Sequence, residues 1–203
     1  MTPTDEEIIG RVHDGDREAF LVLFDRYHGR VESYARRQMQ NSEAARDIAS
    51  ETFLRAYRTV DSFRIGEISY AGYLFMICRR LIVTEQTRST ANMACSLDES
   101  AGEIDMLADG ATLPLDLLLS AERSDMVRSA LEKLPAGDRE IIQLAFDQDL
   151  SRRDIAEILA KPSVSAVTSH LHRAVQRLKA VIIAQGYFES DREVERKSNH
   201  ATR

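Results

Sequence analysis

Residues 47–60 read DIASETFLRAYRTV. Ile48, Ala49, Thr52, Phe53, Ala56, Tyr57 and Val60 recur at alternating steps of one and three, the spacing that lines one side of an α-helix. The segment therefore reads as a helix with these residues turned to a core. Asp47, Ser50, Glu51, Arg55 and Arg58 fall on the other side, with Leu54 among them. Leu54 is not needed by the helix's own core. A single exposed leucine is common and often carries no meaning, but this one has charged residues around it, the pattern of an apolar interface centre with a charged rim.

The helical period continues on both sides. Upstream, DREAFLVLFDRY (16–27) puts Phe20, Leu23, Phe24 and Tyr27 on one face, and Val31, Tyr34, Ala35 and Met39 extend it. NSEAARD (41–47) begins the quoted helix, with Ser42 as its expected cap. Downstream, DSFRIGEIS (61–69) has a glycine, mixed polarity and no stripe, so it reads as a loop. Ala71, Leu74, Phe75, Cys78, Leu81 and Ile82 then share a helix face, which turns Cys78 inward as a small core hydrophobe. Tyr73, Met76, Arg79 and Arg80 occupy the opposite face. An aromatic and two arginines beside an irregular loop fit a nucleic-acid surface; they fit a snorkelling surface helix as well.

A chain of 203 residues, 43% hydrophobic and 30% charged, can bury a real core as one domain or two small ones. No apolar run approaches the roughly 20 residues that span a bilayer, and MTPTDEEIIG is acidic where a signal peptide is basic and then apolar. A cytoplasmic protein without stable membrane insertion is expected. Two cysteines, Cys78 and Cys95, without a CxxC, support neither a disulfide framework nor a zinc ribbon. His170 and His172 point to different sides of a helix, and there is no HExxH, so no metal or other cofactor is expected. Without a phosphate loop or nucleophile–base pair, an enzyme is the least favoured class.

The net charge of −6 is unevenly placed. Residues 25–90 carry 11 basic and 8 acidic groups, residues 91–125 carry 1 and 8, and residues 126–183 carry 9 and 7. Two mildly basic blocks are thus separated by an acidic one, which says where to look for phosphate contacts. The separator, STANMACSLDESAGEIDMLADGATLP (89–114), is small, acidic and aperiodic, the composition of a flexible linker; local helix is expected near PLDLLLSAERSD (114–125).

In the second block Met126, Val127, Ala130, Leu131 and Leu134 form a stripe ended by LPAG, and DREIIQLAF (138–146) is a short helix. Ser151 and Asp154 are spaced as a capping box, Ser151 capping and Asp154 reaching back. Ile155, Ala156, Ile158 and Leu159 line the short helix that follows. After AKPSVS a longer helix turns Val167, Leu171, Ala174, Leu178 and Val181 inward. Short capped helix, turn, longer helix is the helix-turn-helix order. Ser165, Thr168, Ser169, His170, His172, Arg173 and Arg177 lie outward, side chains suited to base edges and phosphates. Helical hairpins that never meet DNA share this period. The tail GYFESDREVERKSNHATR (186–203) is mixed-charge and expected to be mobile.

DIASETFLRAYRTVDSFR, the helix from Gly72 to Arg88, and LPAGDREIIQLAFDQDLSRRDIAEILAKPSVSAVTSHLHRAVQRLKAVI together resemble a bacterial RNA polymerase sigma factor of the compact extracytoplasmic-function group. The resemblance covers about residues 16–88 and 124–183. It implies an all-α chain: a first sigma domain over residues 1–88, an acidic flexible linker over 89–122, a helix-turn-helix domain over 123–183, and the tail from 184. It implies a transcription initiation factor without chemistry of its own, which binds core RNA polymerase and promoter DNA and is controlled by an anti-sigma factor.

Residue by residue, Asp47, Ser50, Glu51, Leu54 and Arg58 match the polymerase-clamp surface. The loop from Arg64 to Ser69 matches the part that pockets an extruded base, with Tyr73, Arg79 and Arg80 bordering the melted strand. Ser151, Arg152 and Arg153 would meet phosphates, while Thr168, Ser169, His170, His172 and Arg173 would face the major groove beside Ser165. The chain departs from the family in having Gly72-Tyr73-Leu74 where Ala-Trp-Leu is common, Arg79-Arg80 where Arg-Asn is usual, and Thr168 and His170 around the recognition serine. AKPSVSAV is one residue longer than the usual turn, which would tilt or shift the recognition helix. These departures motivate one alternative, a sigma-like interaction protein that does not read promoters; the other, a stand-alone helix-turn-helix regulator, leaves the first block unexplained.

Overall fold

The Thr4 hydroxyl accepts the Glu7 N–H at 3.2 Å while the Glu7 carboxylate takes the Thr4 N–H at 2.8 Å, a reciprocal cap that starts the first helix. The computed structural model describes residues 3–39, 41–93 and 125–185. Their helices are α1 (Asp5–His13), α2 (Phe20–Gln38), α3 (Ser42–Thr59), α4 (Tyr70–Met93), α5 (residues 125–132), α6 (Ala136–Ile142), α7 (Arg152–Ile158) and α8 (Val164–Ala184). A π-helical segment, Gln143–Asp147, continues α6. Among the described residues the only extended pairing is an isolated bridge between Ile65 and Ile68. The all-α expectation therefore holds. Helix α4 runs on to Met93, so residues 89–93, expected to open the linker, are helical; the rest of the linker, the helix near residue 114, Cys95 and the tail from residue 186 lie outside the described residues.

Packing divides the described chain into two units. One takes its residues from Met1–Met106 and Gln143–Val167, the other from Leu107–Ile142 and Thr168–Arg203. These boundaries differ from a division at the acidic linker, because the segment that contains α7 packs on α4.

In the first unit α2, α3 and α4 pack on one another. Leu23, Val31 and Tyr34 of α2 meet Ala49, Phe53 and Ala56 of α3 and Leu74, Phe75 and Cys78 of α4 in a buried core. Phe24 stands edge-on to Phe53 at 4.9 Å, and Tyr34 to Phe75 at 5.4 Å. Each fully buried large side chain contributes about 1.5–3 kcal/mol. Helix α1 is tied to α2 by Asp5, which pairs with Arg26 and accepts the Tyr27 hydroxyl.

Two local expectations are corrected. Asn41, not Ser42, caps α3: its side-chain oxygen accepts the Glu43 N–H at 2.8 Å, since an amide one residue earlier reaches the orphan donors while Ser42 is already helical. Tyr57, read as part of the core stripe, is 40% exposed. It stands at the edge of the stripe, packed edge-on against Phe20 at 5.0 Å with Arg17 over its ring.

In the second unit, Asp138 near the start of α6 is buried with Ile141, and Leu171 and Ala174 are buried on α8.

Candidate functional site

The α3 core stripe is built from Ile48, Ala49, Thr52, Phe53 and Ala56, all buried. That leaves the opposite face in solvent. Asp47, Ser50, Leu54 and Arg58 are exposed there and Glu51 is half-buried, so the five residues singled out from the sequence do share one surface. Leu54 is 43% exposed with no place in the core. Beside it Glu51 and Arg55 form an ion pair at 2.6 Å, one turn apart. Tyr57 lies three residues from Leu54, so its exposed part joins the same face. Periodicity alone hid this second apolar group, because position 57 fits the inner stripe and the outer face equally well.

After α3 the chain turns through Val60–Ser62 into the loop that carries Arg64. Gly66 has φ +99, a conformation glycine adopts without the penalty of a Cβ, and it closes the tight turn between Ile65 and Ile68. Arg64 is exposed on this loop. At its far end Ser69 caps α4, its hydroxyl accepting the Gly72 N–H at 2.9 Å. Tyr73 follows, half-buried, its hydroxyl 2.6 Å from Thr59 Oγ1 and its ring 5.0 Å from Phe63. Arg80 is exposed two turns further along that side of α4, and Arg79 stands about 120° round the helix from Tyr73. The loop, the tyrosine and Arg80 thus form one continuous border.

Ser69 has a further partner. Its N–H donates to Asp154 Oδ1 at 3.0 Å and its hydroxyl to Asp154 Oδ2 at 2.9 Å. Asp154 is the residue expected to complete a capping box at the start of α7. Half of that box is present: the Ser151 hydroxyl accepts the Asp154 N–H at 3.1 Å. The carboxylate does not spend itself on the Ser151 backbone; it takes the Ser151 hydroxyl at 2.7 Å and the two donors of Ser69. Ser151, Arg152 and Arg153 are exposed around it.

Helix α7 ends in Ala160 with φ +48, and Lys161 N–H closes the turn onto Ala156 O at 2.8 Å. Ser163 then caps α8, its hydroxyl accepting the Ala166 N–H at 3.1 Å. Along α8, Ser165, Thr168, Ser169, His172 and Arg173 are exposed, and Val167, Leu171 and Ala174 are buried. His170 is the exception to the outward list. Its side chain is only 18% exposed and its Nε2 bonds Asp138 Oδ1 at 2.9 Å, because a buried carboxylate needs donors and His170 lies within reach. Arg177, also read as outward, keeps its stem in solvent but pairs with the other oxygen of Asp138. Burial disfavours the charge on Asp138, and the bonds from Arg177 and His170 more than offset it, holding the carboxyl below its ordinary 3.8.

Among the described residues no cluster of three or more His, Cys, Asp or Glu could hold a metal ion, and no helix is long and apolar enough to cross a membrane. Cys78 is fully buried, and burial pushes its thiol up to about 12.

Two family models match the chain in order: sigma-70 region 2 over residues 23–91 and sigma-70 region 4 over residues 124–178. The chain is 31% identical to the extracytoplasmic-function (ECF) RNA polymerase sigma factor SigW of Bacillus subtilis, over 84% of this chain and 92% of that one. It is 31% identical to the ECF RNA polymerase sigma-E factor of Escherichia coli, over 84% and 90%. Among solved structures it resembles the sigma factor RpoE bound to the anti-sigma factor NepR from Bartonella quintana, with TM-score 0.63 and 21% identity over 80% of this chain and 96% of that one. It also resembles CnrH in complex with the cytosolic domain of CnrY, with TM-score 0.58 and 22% identity over 87% and 96%.

Proposed function

The chain belongs to the extracytoplasmic-function sigma factors of bacterial RNA polymerase, and from that membership we propose which of its surfaces carries each part of the work. It is a transcription initiation factor that binds core RNA polymerase and directs it to promoters. The in-order match of both regions leaves the stand-alone regulator and the interaction-only protein without support.

The face of Asp47, Ser50, Glu51, Leu54 and Arg58 is the polymerase-clamp contact. The observation that carries this reading is Leu54, 43% exposed in a rim of charges on a helix whose core face is already complete. Arg64, Ser69, Tyr73 and Arg80 line the melted promoter strand, while Arg79, turned away round α4, is not part of that border. Their support is the continuous border of loop, aromatic ring and arginine, the combination that stacks a base and screens a phosphate. Ser151, Arg152 and Arg153 meet phosphates, while Ser165, Thr168, Ser169, His172 and Arg173 face the distant promoter element. Their exposure on α7 and α8 supports this. His170 acts indirectly, by fixing α8 to Asp138.

The work is done in the cytoplasm and needs no catalytic residue or cofactor of the chain's own. An anti-sigma factor is the controlling partner; in support, the related RpoE was captured with the anti-sigma factor NepR.

Run-off transcription with purified core polymerase on genomic fragments tests the whole. A defined set of start sites that vanishes with Leu54→Asp is expected. Intact core binding without any promoter-specific product contradicts it.

A further inference from the structure

We propose that Asp154 latches the polymerase-free chain in a closed state, in which its carboxylate occupies both hydrogen-bond donors of the strand-facing Ser69 until it is displaced. The inference rests on the reading of Ser69, Tyr73 and Arg80 as strand-facing residues. Three observations carry it.

The first is the occupancy of Ser69. Both of its donors, N–H and O–H, are taken by the Asp154 carboxylate, which is only 5% exposed. Ser69 begins α4, where an anionic group is favoured by the helix dipole, so the carboxylate sits well there. A strand can use Ser69 only after Asp154 leaves.

The second is Gly72. A Cβ built at this position would stand 2.7 Å from Asp154 Oδ1, 2.8 Å from Cγ and 2.9 Å from Cβ. Because the aspartate's own Cβ is in the clash, turning its side chain does not relieve it; α7 itself would have to move. The close approach therefore depends on a residue without a side chain in the first turn of a helix, where alanine would be the better helix former.

The third is the character of the surrounding contacts. Gln38 Nε2 donates to Gln143 Oε1 at 2.9 Å, Arg30 donates to the Gln148 carbonyl, and Arg37 pairs with Asp147. These groups exchange protein partners for water at small net cost, which suits a contact that opens and closes.

The test uses the full chain without polymerase and two substitutions from opposite sides of the contact, Gly72→Ala and Asp154→Asn. Amide exchange at Ser69 reads the latch directly, since the N–H of a cap residue has no partner within its own helix. If the closed state holds nine-tenths of the molecules, each substitution speeds Ser69 exchange about tenfold. Equal exchange at Ser69 in all three proteins overturns the latch.

Fluorescence anisotropy with a labelled mixed-sequence single strand of about 12 nucleotides reads the masking. Gly72→Ala is expected to bind about tenfold more tightly than the parent, because a closed fraction weakens apparent affinity in proportion. Adding Arg80→Ala to Gly72→Ala should weaken binding again. If Arg80→Ala weakens binding but Gly72→Ala does not strengthen it, the masking is overturned and the strand site stands. If Arg80→Ala has no effect, the strand reading itself falls, and the inference with it.

Discussion

His170 Nε2 lies 2.9 Å from one oxygen of Asp138, while Arg177 pairs with the other. The carboxylate is nearly fully buried, so α6 and α8 are joined through a charge that depends on these two donors. Asp138→Asn keeps the shape and removes the charge, and should lower stability by about 2 kcal/mol, the scale of hydrogen bonds to a charged group. The pH dependence has a definite sign. The folded-state pKa is depressed below 3.8, so the contribution is whole above that value and is lost as pH falls through the folded pKa. In urea unfolding followed by circular dichroism, parent and variant should differ in full at neutral pH, and the difference should begin to shrink only once the pH drops below 3.8, toward the folded-state pKa.

The two histidines of α8 should separate stability from recognition. His170→Ala strands Asp138 with one partner, so it should lower the urea midpoint while leaving the base preference of the holoenzyme unchanged. His172 is exposed, so His172→Ala should leave the unfolding free energy within about 0.5 kcal/mol of the parent and alter promoter occupancy. Selection of bound sequences from a randomised promoter library distinguishes them. A changed base preference with His170→Ala at full stability would return that residue to the DNA-facing set.

Ala160 holds φ +48 at the end of α7, where an L-residue loses roughly 1–2 kcal/mol. Ala160→Gly removes the Cβ penalty and gives back part of the gain through the greater freedom of the unfolded chain. A net stabilisation of about 0.5–1 kcal/mol is expected, seen as a higher thermal midpoint. An unchanged or lower midpoint would show that the turn is unstrained.

These cases mark what the sequence carries and where it stops. The α3 stripe predicted the helix and five of its buried positions, since burial on a helix is periodic and local. Tyr57 went astray because a residue at a stripe's edge satisfies two faces, and only the neighbouring Phe20 and Arg17 decide between them. His170 and Asp154 were legible as polar residues on helices with solvent-facing or capping roles. Their partners, Asp138 and Ser69, lie 32 and 85 residues away in the chain, where no periodicity reaches. Cap identity was legible only to within one residue, since Asn41 and Ser42 are both good caps and backbone geometry chooses.

Cys78 has no solvent exposure and its thiol is pushed up to about 12 by burial, partly relieved by a hydrogen bond with Thr52. Thiolate is the reactive form, so at pH 8 Cys78 should resist alkylation in the folded chain and react fully in denaturant. Peptide mass spectrometry after timed iodoacetamide treatment measures this. Rapid native labelling of Cys78 would show that the thiol is accessible and contradict its burial.

Leu54 gives the sharpest separation of folding from partner binding. At 43% exposure it loses little burial on replacement, and an aspartate in mid-helix costs only about 0.5 kcal/mol in propensity. The new carboxylate would stand one turn from Arg58, a favourable spacing, and one turn from Glu51, an unfavourable one, so local charge nearly cancels. Leu54→Asp should therefore leave helicity and the thermal midpoint close to those of the parent. Against the polymerase, the same change places a desolvated charge at an apolar interface centre, where truncation alone costs 2 kcal/mol or more. Core binding measured by surface plasmon resonance should fall at least about thirtyfold. Leu54→Ala serves as the uncharged comparison and should weaken binding by an intermediate factor. Should Leu54→Asp instead unfold the chain, Leu54 belongs to the core; should it fold and still bind core polymerase at full strength, the clamp contact lies on another face.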